Sequence, residues 1–416
     1  MLSVGLFVAV VLLWLGTTNR AEVWPVRNTL QYHVFQRLDR WFGPTPGPKI
    51  TVRGTVRDAA GAPLANARVL VAGHEGTPYS AESDAQGQFA IANVPAGAYV
   101  PVAGAQGYAN TALRDVGLMR RRLGGDGPLT VQLSALPAPA SPAVPAQNFR
   151  LDPPETLGRA KPIPSEAVRR TVHFSVGTRQ NQTTLYYTPN DGKDTLVPLI
   201  LAVYPGAADT WEVVSFPLTQ AGYAVLAVGP AYALDLEQDV DDLERLLDQV
   251  QAGAFPRADP TRIGIVAGSY SGLHVFRMLQ RNNQSIDAAL FLGPPTDLFE
   301  MRRQFAVDGI VPPFGLDQAL IALGYPDRNP EPYWRYSARY HARSLDVPMM
   351  LIHSKQDEII PFAQSELLSD DLTRLGVPHE LYILESMGHY LRAEERTPAL
   401  DELFALSLRF LGENLR

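Results

Sequence analysis

The residue with the clearest chemical potential in this chain is a serine within residues 262–282, RIGIVAGSYSGLHVFRMLQRN. Residues 263–267 form a short apolar run that is typical of a buried strand, and beyond the next three residues the apolar positions recur at helical spacing. The pattern predicts a strand, a sharp turn and a helix, with Ser269 on the turn. A serine on such a turn is typical of an acyl-transfer nucleophile, whereas the simpler alternative is a serine that caps a helix N-terminus.

The spacing around Ser269 departs from the usual G-x-S-x-G nucleophile elbow in two places. Ala267 and Ser271 stand where the two glycines would lie, although both are small, as a tight turn requires. A literal match, which begins at Gly268, is centred on Tyr270, and a tyrosine there is no acyl-transfer nucleophile. We therefore take Ser269 as the candidate nucleophile.

A serine hydroxyl is a weak nucleophile, so the hypothesis requires a histidine base and a carboxylate that orients this base. Among the 8 histidines, His389 follows the last predicted strand, where a loop can fold back over the sheet. Asp357 follows the preceding predicted strand, and its simpler interpretation is an aspartate on the turn into a helix. Asp297, one strand earlier, is the alternative acid. We interpret several other histidines as structural: His33, His74, His173 and His353.

A sheet must position these side chains, because strands and helices alternate from residue 170 onward. The pattern predicts an α/β fold with a doubly wound, mostly parallel sheet. The predicted strands span residues 172–176, 183–187, 197–204, 223–228, 263–267, 288–293, 347–353 and 379–384. Apart from the helix after Ser269, the predicted helices span residues 210–220, 234–251, 361–375 and 398–415. The irregular residues 294–345 are predicted to form a cap over the pocket.

The N-terminal part of the chain has a different period. In residues 49–136 apolar residues alternate with polar or small ones in short runs separated by turns, which predicts an antiparallel β-sandwich. Residues 137–166 are rich in proline and alanine and are predicted to form an extended linker rather than a sheet or a helix. The catalytic domain is placed at residues 167–416, and residues 165–416 are therefore expected to fold and to keep full activity without the sandwich.

The first residues suggest a membrane. Residues 1–15 are apolar and uncharged but shorter than a full span of about 20 residues, so residues 1–20 are predicted to be a signal anchor or a signal peptide. Residues 21–48 mix aromatic side chains with arginines, as in a helix at a membrane surface or one packed on the next domain. We expect a membrane-anchored protein with an extracytoplasmic catalytic domain, although the arginines alone favour the opposite orientation.

Composition excludes several function classes. The 416-residue chain is 46% hydrophobic and 19% charged, with a net charge of -7, and no long basic stripe offsets this acidity. A nucleic-acid partner is therefore not expected. The sequence has no cysteine, which removes disulfides, thiolate catalysis and Cys-ligated zinc. We expect neither a metal nor another cofactor.

Residues 50–134 contain three different turn-and-strand patterns: Asp58-x-x-Gly61-x-Pro63-Leu64-x-x-Ala67-x-Val69, Ser83-Asp84-x-x-Gly87-x-Phe89 and Val94-x-x-Gly97-x-Tyr99. With them this region closely resembles the carboxypeptidase regulatory-like domain. The resemblance implies a seven-stranded, Ig-like module that has no catalytic residues and is usually found on exported proteins. Whether this domain binds a protein or a carbohydrate stays undecided. The favoured interpretation is that it acts as a spacer, because the sequence shows no exposed aromatic platform for a ligand.

The elbow sequence AGSYSG, together with Tyr336-Ser337, the D-x-x-[VI]-P pattern at residues 357–361 and Gly388-His389, resembles the α/β-hydrolases. The resemblance covers residues 167–416 and is closest to the catalytic domain of the prolyl oligopeptidase family, whose elbow reads G-x-S-Y-G-G. It implies a triad of Ser269, Asp357 and His389, in the chain order of that fold.

The same resemblance implies an oxyanion hole. In the prolyl oligopeptidase family a tyrosine at the end of the third strand donates its hydroxyl, and Tyr204 stands at the matching place. The second donor would be the backbone N–H of Tyr270. Esterase relatives use a backbone N–H of the third-strand loop instead of the tyrosine. Because Pro205 has no N–H, Gly206 would be that donor.

The predicted function is a serine hydrolase that forms an acyl-enzyme on Ser269 and acts on an ester or a small peptide amide. The large β-propeller that gates peptides in the prolyl oligopeptidase family is missing from this chain, so a carboxylesterase without peptidase activity stays open. A third alternative is a hydrolase domain that has lost catalysis and serves as a binding module. Hydrogen bonds among Ser269, His389 and Asp357 would favour the enzyme.

Overall fold

The computed structural model describes residues 10, 11, 14, 33, 34, 37, 38, 41, 43–114, 121–123, 127–136, 147–229, 235–281, 285–310, 323–389 and 395–415. The predicted signal segment, residues 1–20, lies almost entirely outside these residues, as does much of the predicted juxtamembrane segment 21–48. In the described part of the chain, no helix combines the length and the apolar character that a membrane crossing requires. The predicted membrane segment is therefore not supported here.

Two compact units divide the chain. The first comprises Met1–Leu136 and Leu298–Arg335, and the second comprises Pro137–Asp297 and Tyr336–Arg416. The strands of the first unit are β1 Lys49–Asp58, β2 Arg68–Ala72, β3 Pro78–Glu82, β4 Gln88–Pro95, β5 Gly97–Tyr99, β6 Val102–Gly104, β7 Thr111–Ala112, β8 Arg121–Leu123 and β9 Leu129–Leu133. Those of the second unit are β10 Gln147–Leu151, β11 Glu155–Arg159, β12 Ser165–Val176, β13 Arg179–Thr188, β14 Val197–Val203, β15 Ala224–Val228, β16 Ala258–Gly268, β17 Ala288–Leu292, β18 Met349–Ser354 and β19 His379–Leu384.

The helices are fewer and belong mostly to the second unit. In chain order they are α1 Glu212–Gln220, α2 Leu236–Gln251, α3 Ser271–Arg281, α4 Leu298–Ala306, α5 Pro330–Arg335, α6 Ala363–Leu375 and α7 Pro398–Asn414. Two 3₁₀ helices, Ala208–Trp211 and Ala338–Ser344, precede α1 and β18. Of these elements only α4 and α5 belong to the first unit.

The first unit contains the predicted β-sandwich. Its sheets have the orders β4-β1-β9 and β3-β2-β6-β7, with the small pair β5-β8 beside them. The predicted alternation of apolar and polar residues is confirmed, because the apolar residues of the alternating runs are buried together in one core. They are Val52, Val56, Val69, Val71, Phe89, Ile91, Val131 and Leu133. Two details differ from the expectation. The described residues form nine short strands instead of seven, and β1 pairs with β9 in parallel.

The segment 298–335 packs with this sandwich. The Arg114 guanidinium donates to the Arg328 carbonyl at 2.9 Å and to the Glu331 carboxylate at 2.6 Å. The ring of His74 stacks on Tyr325, with 3.9 Å between centroids. The sequence placed these residues in a cap of the catalytic domain because they lie between its strands. The structure instead gives them a shared unit with the sandwich.

The second unit is built on a ten-stranded sheet of order β10-β12-β13-β15-β14-β16-β17-β18-β19, with β11 also paired to β12. The six strands from β15 to β19 in this order are parallel, and β10 to β13 form an antiparallel edge. Helices α2, α3 and α6 cover one face, and α1 and α7 cover the other. The predicted α/β fold with a mostly parallel sheet is confirmed.

The predicted linker is partly wrong. Residues 137–146 lie outside the described residues, but β10 and β11 occupy much of the rest and pair antiparallel with β12. The prolines do not prevent this pairing, because Pro153 and Pro154 fall between the two strands and Pro162 and Pro164 fall in the turn before β12. Proline is tolerated at such breaks and at sheet edges, where no ladder hydrogen bond is lost.

The topology brings two chain turns together. Strand β14 pairs with β15 on one side and with β16 on the other, so the strand order switches at this point. Val203 and Ala267 are register partners, which sets the carboxyl ends of β14 and β16 level. Ligands of open α/β sheets bind outside the carboxyl ends of the strands at such a switch point.

Candidate active site

The predicted nucleophile elbow is present between β16 and α3. Ser269 has a φ of +53°, in the left-handed region that a residue other than glycine rarely adopts. Its backbone N–H donates to the Leu292 carbonyl at 2.8 Å, which ties the turn to the end of β17. A strained backbone that is held by neighbouring structure in this way is typical of functional sites.

Ser271, one of the two departures from the usual elbow, has a structural partner. It is fully buried, and its hydroxyl oxygen lies 2.5 Å from the Val203 carbonyl oxygen and 2.8 Å from that of Gly268. The same oxygen accepts the Gly268 N–H at 3.1 Å. A glycine could make none of these contacts, so Ser271 cross-links the elbow to the end of β14.

The other small residues of the elbow are explained by packing. Ala267 is buried in the core beneath α3. Gly272 approaches the next loop so closely that an added Cβ would lie 2.8 Å from the Pro294 Cβ. Close packing therefore requires a glycine at position 272. The G-x-S-x-G pattern expects its second glycine one residue earlier, at position 271.

The structure brings Ser269, His389 and Asp357 together. The Nε2 atom of His389 lies 2.8 Å from Ser269 Oγ, and its Nδ1 atom lies 2.7 Å from Asp357 Oδ2. In the neutral ring Nδ1–H donates to the carboxylate, which leaves Nε2 to accept the serine proton. The His389 side chain is 8% exposed and that of Asp357 is 3% exposed, so little water competes for these hydrogen bonds.

Asp357 is held as an ionised carboxylate. Its Oδ1 accepts the backbone N–H groups of Ile359 and Ile360 at 2.9 and 2.8 Å. Burial opposes the charged form, but hydrogen bonds from His353 and His389 outweigh it and hold the pKa of Asp357 well below its usual value. The carboxylate can therefore stabilise an imidazolium without taking its proton.

His353 is a contact that the sequence interpretation missed. This fully buried ring lies on β18, and its Nε2 is 2.9 Å from the Ile360 carbonyl and 3.3 Å from Asp357 Oδ2. Its Nδ1 lies 2.7 Å from Ser365 Oγ. Because a carbonyl only accepts, Nε2 carries the proton and faces the carboxylate. Its position inside a strand suggested a structural histidine, yet a histidine four residues before the acid was a usable signal.

Space for the carboxylate depends on Gly293. This residue has a φ of +52°, and a Cβ built on it would lie 3.1 Å from Asp357 Oδ2. The loop after β17 thus leaves room where the acid of the neighbouring strand must sit. Glu358 supports the base from the other side, since its carboxylate accepts the His389 backbone N–H at 3.2 Å.

Asp297, the alternative acid, has other partners. Its Oδ2 accepts from Arg339 Nη1 at 3.0 Å and from the Tyr340 hydroxyl at 2.8 Å. The residue is fully buried, and no hydrogen bond from His389 to it is found among the described residues. Asp297 therefore joins the loop after β17 to the 3₁₀ helix before β18.

The hydroxyl of Tyr204, predicted as an oxyanion donor, has a hydrogen-bond partner on α1 in this structure. It shares a 2.9 Å hydrogen bond with Ser215 Oγ on α1, and its ring stacks on Trp211 with 5.3 Å between centroids. Burial raises the pKa of Tyr204. The sequence could place this tyrosine at the end of the third strand but could not give the direction of its side chain.

The other two predicted donors are the backbone N–H groups of Tyr270 and Gly206. Tyr270 immediately precedes α3, so its N–H lies at a helix N-terminus, where the helix dipole favours negative charge. Gly206 follows the end of β14, beside Gly229. A Cβ on Gly229 would lie 2.2 Å from the Gly206 carbonyl oxygen, so the close approach of this loop requires a glycine there.

Tyr204→Phe is expected to change acylation of Ser269 by less than about threefold, well below the loss of about 10²-fold for removal of an oxyanion donor. The reason is that the lost hydroxyl hydrogen-bonds to Ser215 in the structure. The rate of labelling by a fluorophosphonate probe measures the effect. A loss near 10²-fold would show that the side chain turns toward the substrate and restore the predicted role of Tyr204.

The second unit has the α/β-hydrolase fold, and Ser269, Asp357 and His389 follow one another in the chain order of the triad in that fold. Residues 233–416 match the prolyl oligopeptidase family, and residues 51–134 match the carboxypeptidase regulatory-like domain. The chain therefore carries a prolyl oligopeptidase-family domain behind a carboxypeptidase regulatory-like domain, as the sequence motifs predicted.

Two curated relatives match parts of the chain. Dipeptidyl peptidase 8 from Mus musculus is 27% identical over 187 residues, which are 44% of this chain and 18% of that protein. Uncharacterized peptidase YuxL from Bacillus subtilis (strain 168) is 22% identical over 215 residues, 48% of this chain and 32% of that protein. The chain thus spans less than a third of the length of either relative.

Solved structures match larger shares of both chains. Acetyl xylan esterase 1 from Thermoanaerobacterium sp. JW/SL YS485 superposes with a TM-score of 0.47 at 13% identity, over 65% of this chain and 89% of that chain. Acylaminoacyl peptidase from Pyrococcus horikoshii gives a TM-score of 0.44 at 17% identity, over 84% of this chain and 54% of that chain.

Proposed function

We propose that this protein hydrolyses esters or small peptide amides through an acyl-enzyme on Ser269. The observation that carries the proposal is the pair of hydrogen bonds by which His389 joins Ser269 Oγ, at 2.8 Å, to Asp357 Oδ2, at 2.7 Å. Such a relay at a strained turn on the carboxyl edge of the sheet supplies an activated nucleophile and its base.

Each residue has a definite step in this mechanism. His389 Nε2 takes the proton of Ser269 as Oγ attacks the carbonyl carbon, and Asp357 stabilises the imidazolium that forms. The N–H groups of Tyr270 and Gly206 stabilise the oxyanion. His389 then gives its proton to the leaving group, and the acyl group stays on Oγ. A water, deprotonated by His389, releases the acid and restores Ser269.

Reaction with a fluorophosphonate probe tests the proposal, because the probe needs an activated serine and an oxyanion hole but no matching substrate. The wild-type chain should be labelled at Ser269. Ser269→Ala and His389→Ala should abolish labelling, and kcat should fall by on the order of 10⁶-fold in each. A folded wild-type chain that stays unlabelled would refute the enzyme and favour a binding module.

A panel of substrates tests whether the enzyme prefers to cleave esters or amides. Short acyl esters are compared with aminoacyl and dipeptidyl amides at equal concentration. We expect esters to be cleaved faster, because an activated ester needs less protonation of its leaving group than an amide does.

The proposal also includes the cellular location of the protein. Residues 1–15 are apolar and uncharged, and the carboxypeptidase regulatory-like domain at residues 51–134 is a module usually found on exported proteins. On these two grounds we retain membrane anchoring with the catalytic domain outside the cytoplasm. Protease treatment of intact cells tests it, and a catalytic domain that stays protected would contradict the extracytoplasmic location.

A further inference from the structure

An apolar cavity of about 50 Å³ lies in the second unit, between the sheet and helices α1 and α7. Its wall includes Val214 of α1, Leu403 and Ser407 of α7, and the last residues of β16. Ser269, His389 and Asp357 are not part of its lining. The cavity is therefore separate from the proton relay, and the mechanism described above does not use it.

The sheet beside the cavity is incompletely covered. Strand β16 lies in the middle of a doubly wound sheet, where side chains are normally buried on both faces. Val266 and Gly268 are nevertheless only half-buried, as are Leu292 on β17 and Val214 on α1. A Cβ built on Gly268 would find nothing closer than the Leu292 carbonyl oxygen at 3.7 Å. The wall of the cavity thus includes Gly268, the residue that precedes the nucleophile, and a side chain there would make only ordinary contacts.

The lining selects an apolar ligand. Its two hydroxyl groups are engaged within the protein, since Tyr204 shares a hydrogen bond with Ser215 at 2.9 Å and Ser407 donates to the Leu403 carbonyl at 2.8 Å. A polar ligand would lose its hydrogen bonds to water and gain few in return, which is costly. An aliphatic group loses nothing and gains the burial of its surface.

The position of the cavity relates it to the reacting atoms. Its wall includes Pro205 and Gly268, the covalent neighbours of Gly206 and Ser269. In the tetrahedral intermediate the oxyanion faces the N–H donors and the leaving group faces His389. The acyl carbon must take a direction away from His389. From these observations we infer that the cavity receives the acyl group of the substrate and makes the protein selective for short aliphatic acyl esters.

The size of the cavity limits the acyl group. At about 50 Å³ it is about a third of the roughly 150 Å³ apolar cavity that holds benzene. A short group of about two to four carbons fits this volume, whereas a long chain or an aromatic ring does not. The inference rests on the proposed function, because it assigns the acyl side of the same reaction.

Chain-length selectivity of the full protein tests the inference. The wild type should turn over p-nitrophenyl butanoate with a kcat/KM about tenfold above that for the acetate, from burial of two more methylene groups, and the octanoate should be poorer than the butanoate. Ser407→Leu fills the cavity from α7 with a residue of good helix propensity, and it should bring the butanoate-to-acetate ratio close to one. Val214→Phe fills it from α1 and should do the same.

Ala405→Leu is the matched control, because it places the same side chain on α7 at an exposed position. It should keep the wild-type ratio. If Ser407→Leu and Val214→Phe both fold, as judged by Tm, and both keep the wild-type ratio, the cavity is a packing void and the inference is overturned.

A binding measurement separates failure of the inference from failure of the proposed function. Ser269→Ala cannot form the acyl-enzyme, so ethyl butanoate should bind to it reversibly, as detected by saturation-transfer NMR. The double variant with Ser407→Leu should lose this signal. Equal binding by both proteins would overturn the inference whether or not the wild type is an enzyme. A difference between them would support the cavity even if no ester were hydrolysed.

Discussion

Replacing Asp357 with asparagine is expected to lower kcat by about 10⁴-fold without unfolding the protein. Asparagine keeps the shape of the side chain but cannot stabilise an imidazolium, and its amide can hold His389 in the wrong tautomer. Steady-state hydrolysis of a p-nitrophenyl ester measures the loss. An asparagine variant within about tenfold of the wild type would exclude Asp357 as the catalytic acid.

Asp297→Asn is the matched control, because Asp297 is the other buried aspartate that follows a strand of the same sheet. The substitution weakens the contacts with Arg339 and Tyr340, at 3.0 and 2.8 Å in the wild type. We therefore expect a lower Tm but a rate of probe labelling within about threefold of the wild type, since no oxyanion donor is lost. Equal loss of labelling in both variants would mean that either change distorts the site.

The depressed pKa of Asp357 gives the first prediction a pH signature. A carboxyl whose pKa is lower in the folded than in the unfolded state stabilises the protein above the unfolded value of about 4, and this stabilisation disappears as pH falls through the folded value. The difference in Tm between wild type and Asp357→Asn should therefore shrink as pH falls below about 4. A difference that grows on acidification would contradict the assigned ionised state.

Removal of the sandwich is expected to destabilise the protein, which reverses the expectation drawn from the proline-rich boundary. The segment 298–335 packs with the sandwich, and Phe299, Tyr333 and Trp334 are all buried. A chain that begins at residue 137 would leave apolar surface of this segment without its cover. We expect the truncated chain to have poor solubility or a lower Tm. The amount of soluble protein that reacts with the probe should also be smaller. A truncated chain with the Tm and labelling of the full protein would refute this prediction.

A point substitution tests the same packing in the full chain. Arg114→Ala removes the hydrogen bonds to Arg328 and Glu331 and should lower the free energy of unfolding of the first unit by about 1–2 kcal/mol. Arg57→Ala is the control, because its guanidinium contacts the carbonyl of Gly61 within an exposed turn of the sandwich. Urea unfolding followed by tryptophan fluorescence measures both. Equal loss of stability in Arg114→Ala and Arg57→Ala would mean that the contacts of Arg114 stabilise the first unit no more than those of a residue in an exposed turn.

Local patterns in the sequence were sufficient for most strands and helices of both units. The runs around Val69 and Val131 alternate because one face of each strand is buried, and the run before Ser269 is continuously apolar because β16 is central in the sheet. The order of Ser269, Asp357 and His389 was readable for a similar reason. Each follows a parallel strand, and the carboxyl ends of parallel strands meet at one edge.

What the sequence could not supply depends on contacts between distant residues. The strand β10 has few local signals and exists because β12 offers it an edge. The direction of the Tyr204 hydroxyl is set by Ser215 on the next helix, and the second ring beside Asp357 is set by the packing of His353. The segment 298–335 was assigned by its place in the chain, whereas its partners lie some two hundred residues earlier.

The hydroxyl of Ser271 has a consequence for how such proteins are found and redesigned. It links the nucleophile turn to the Val203 carbonyl of a neighbouring strand, so two residues far apart in the sequence are coupled. A search that insists on glycine after the nucleophile overlooks chains with this solution. A designer who restores the consensus glycine removes this cross-strand contact two residues after Ser269, whose φ is +53°. At position 271 the serine of this chain makes a contact that the glycine of the family pattern cannot make.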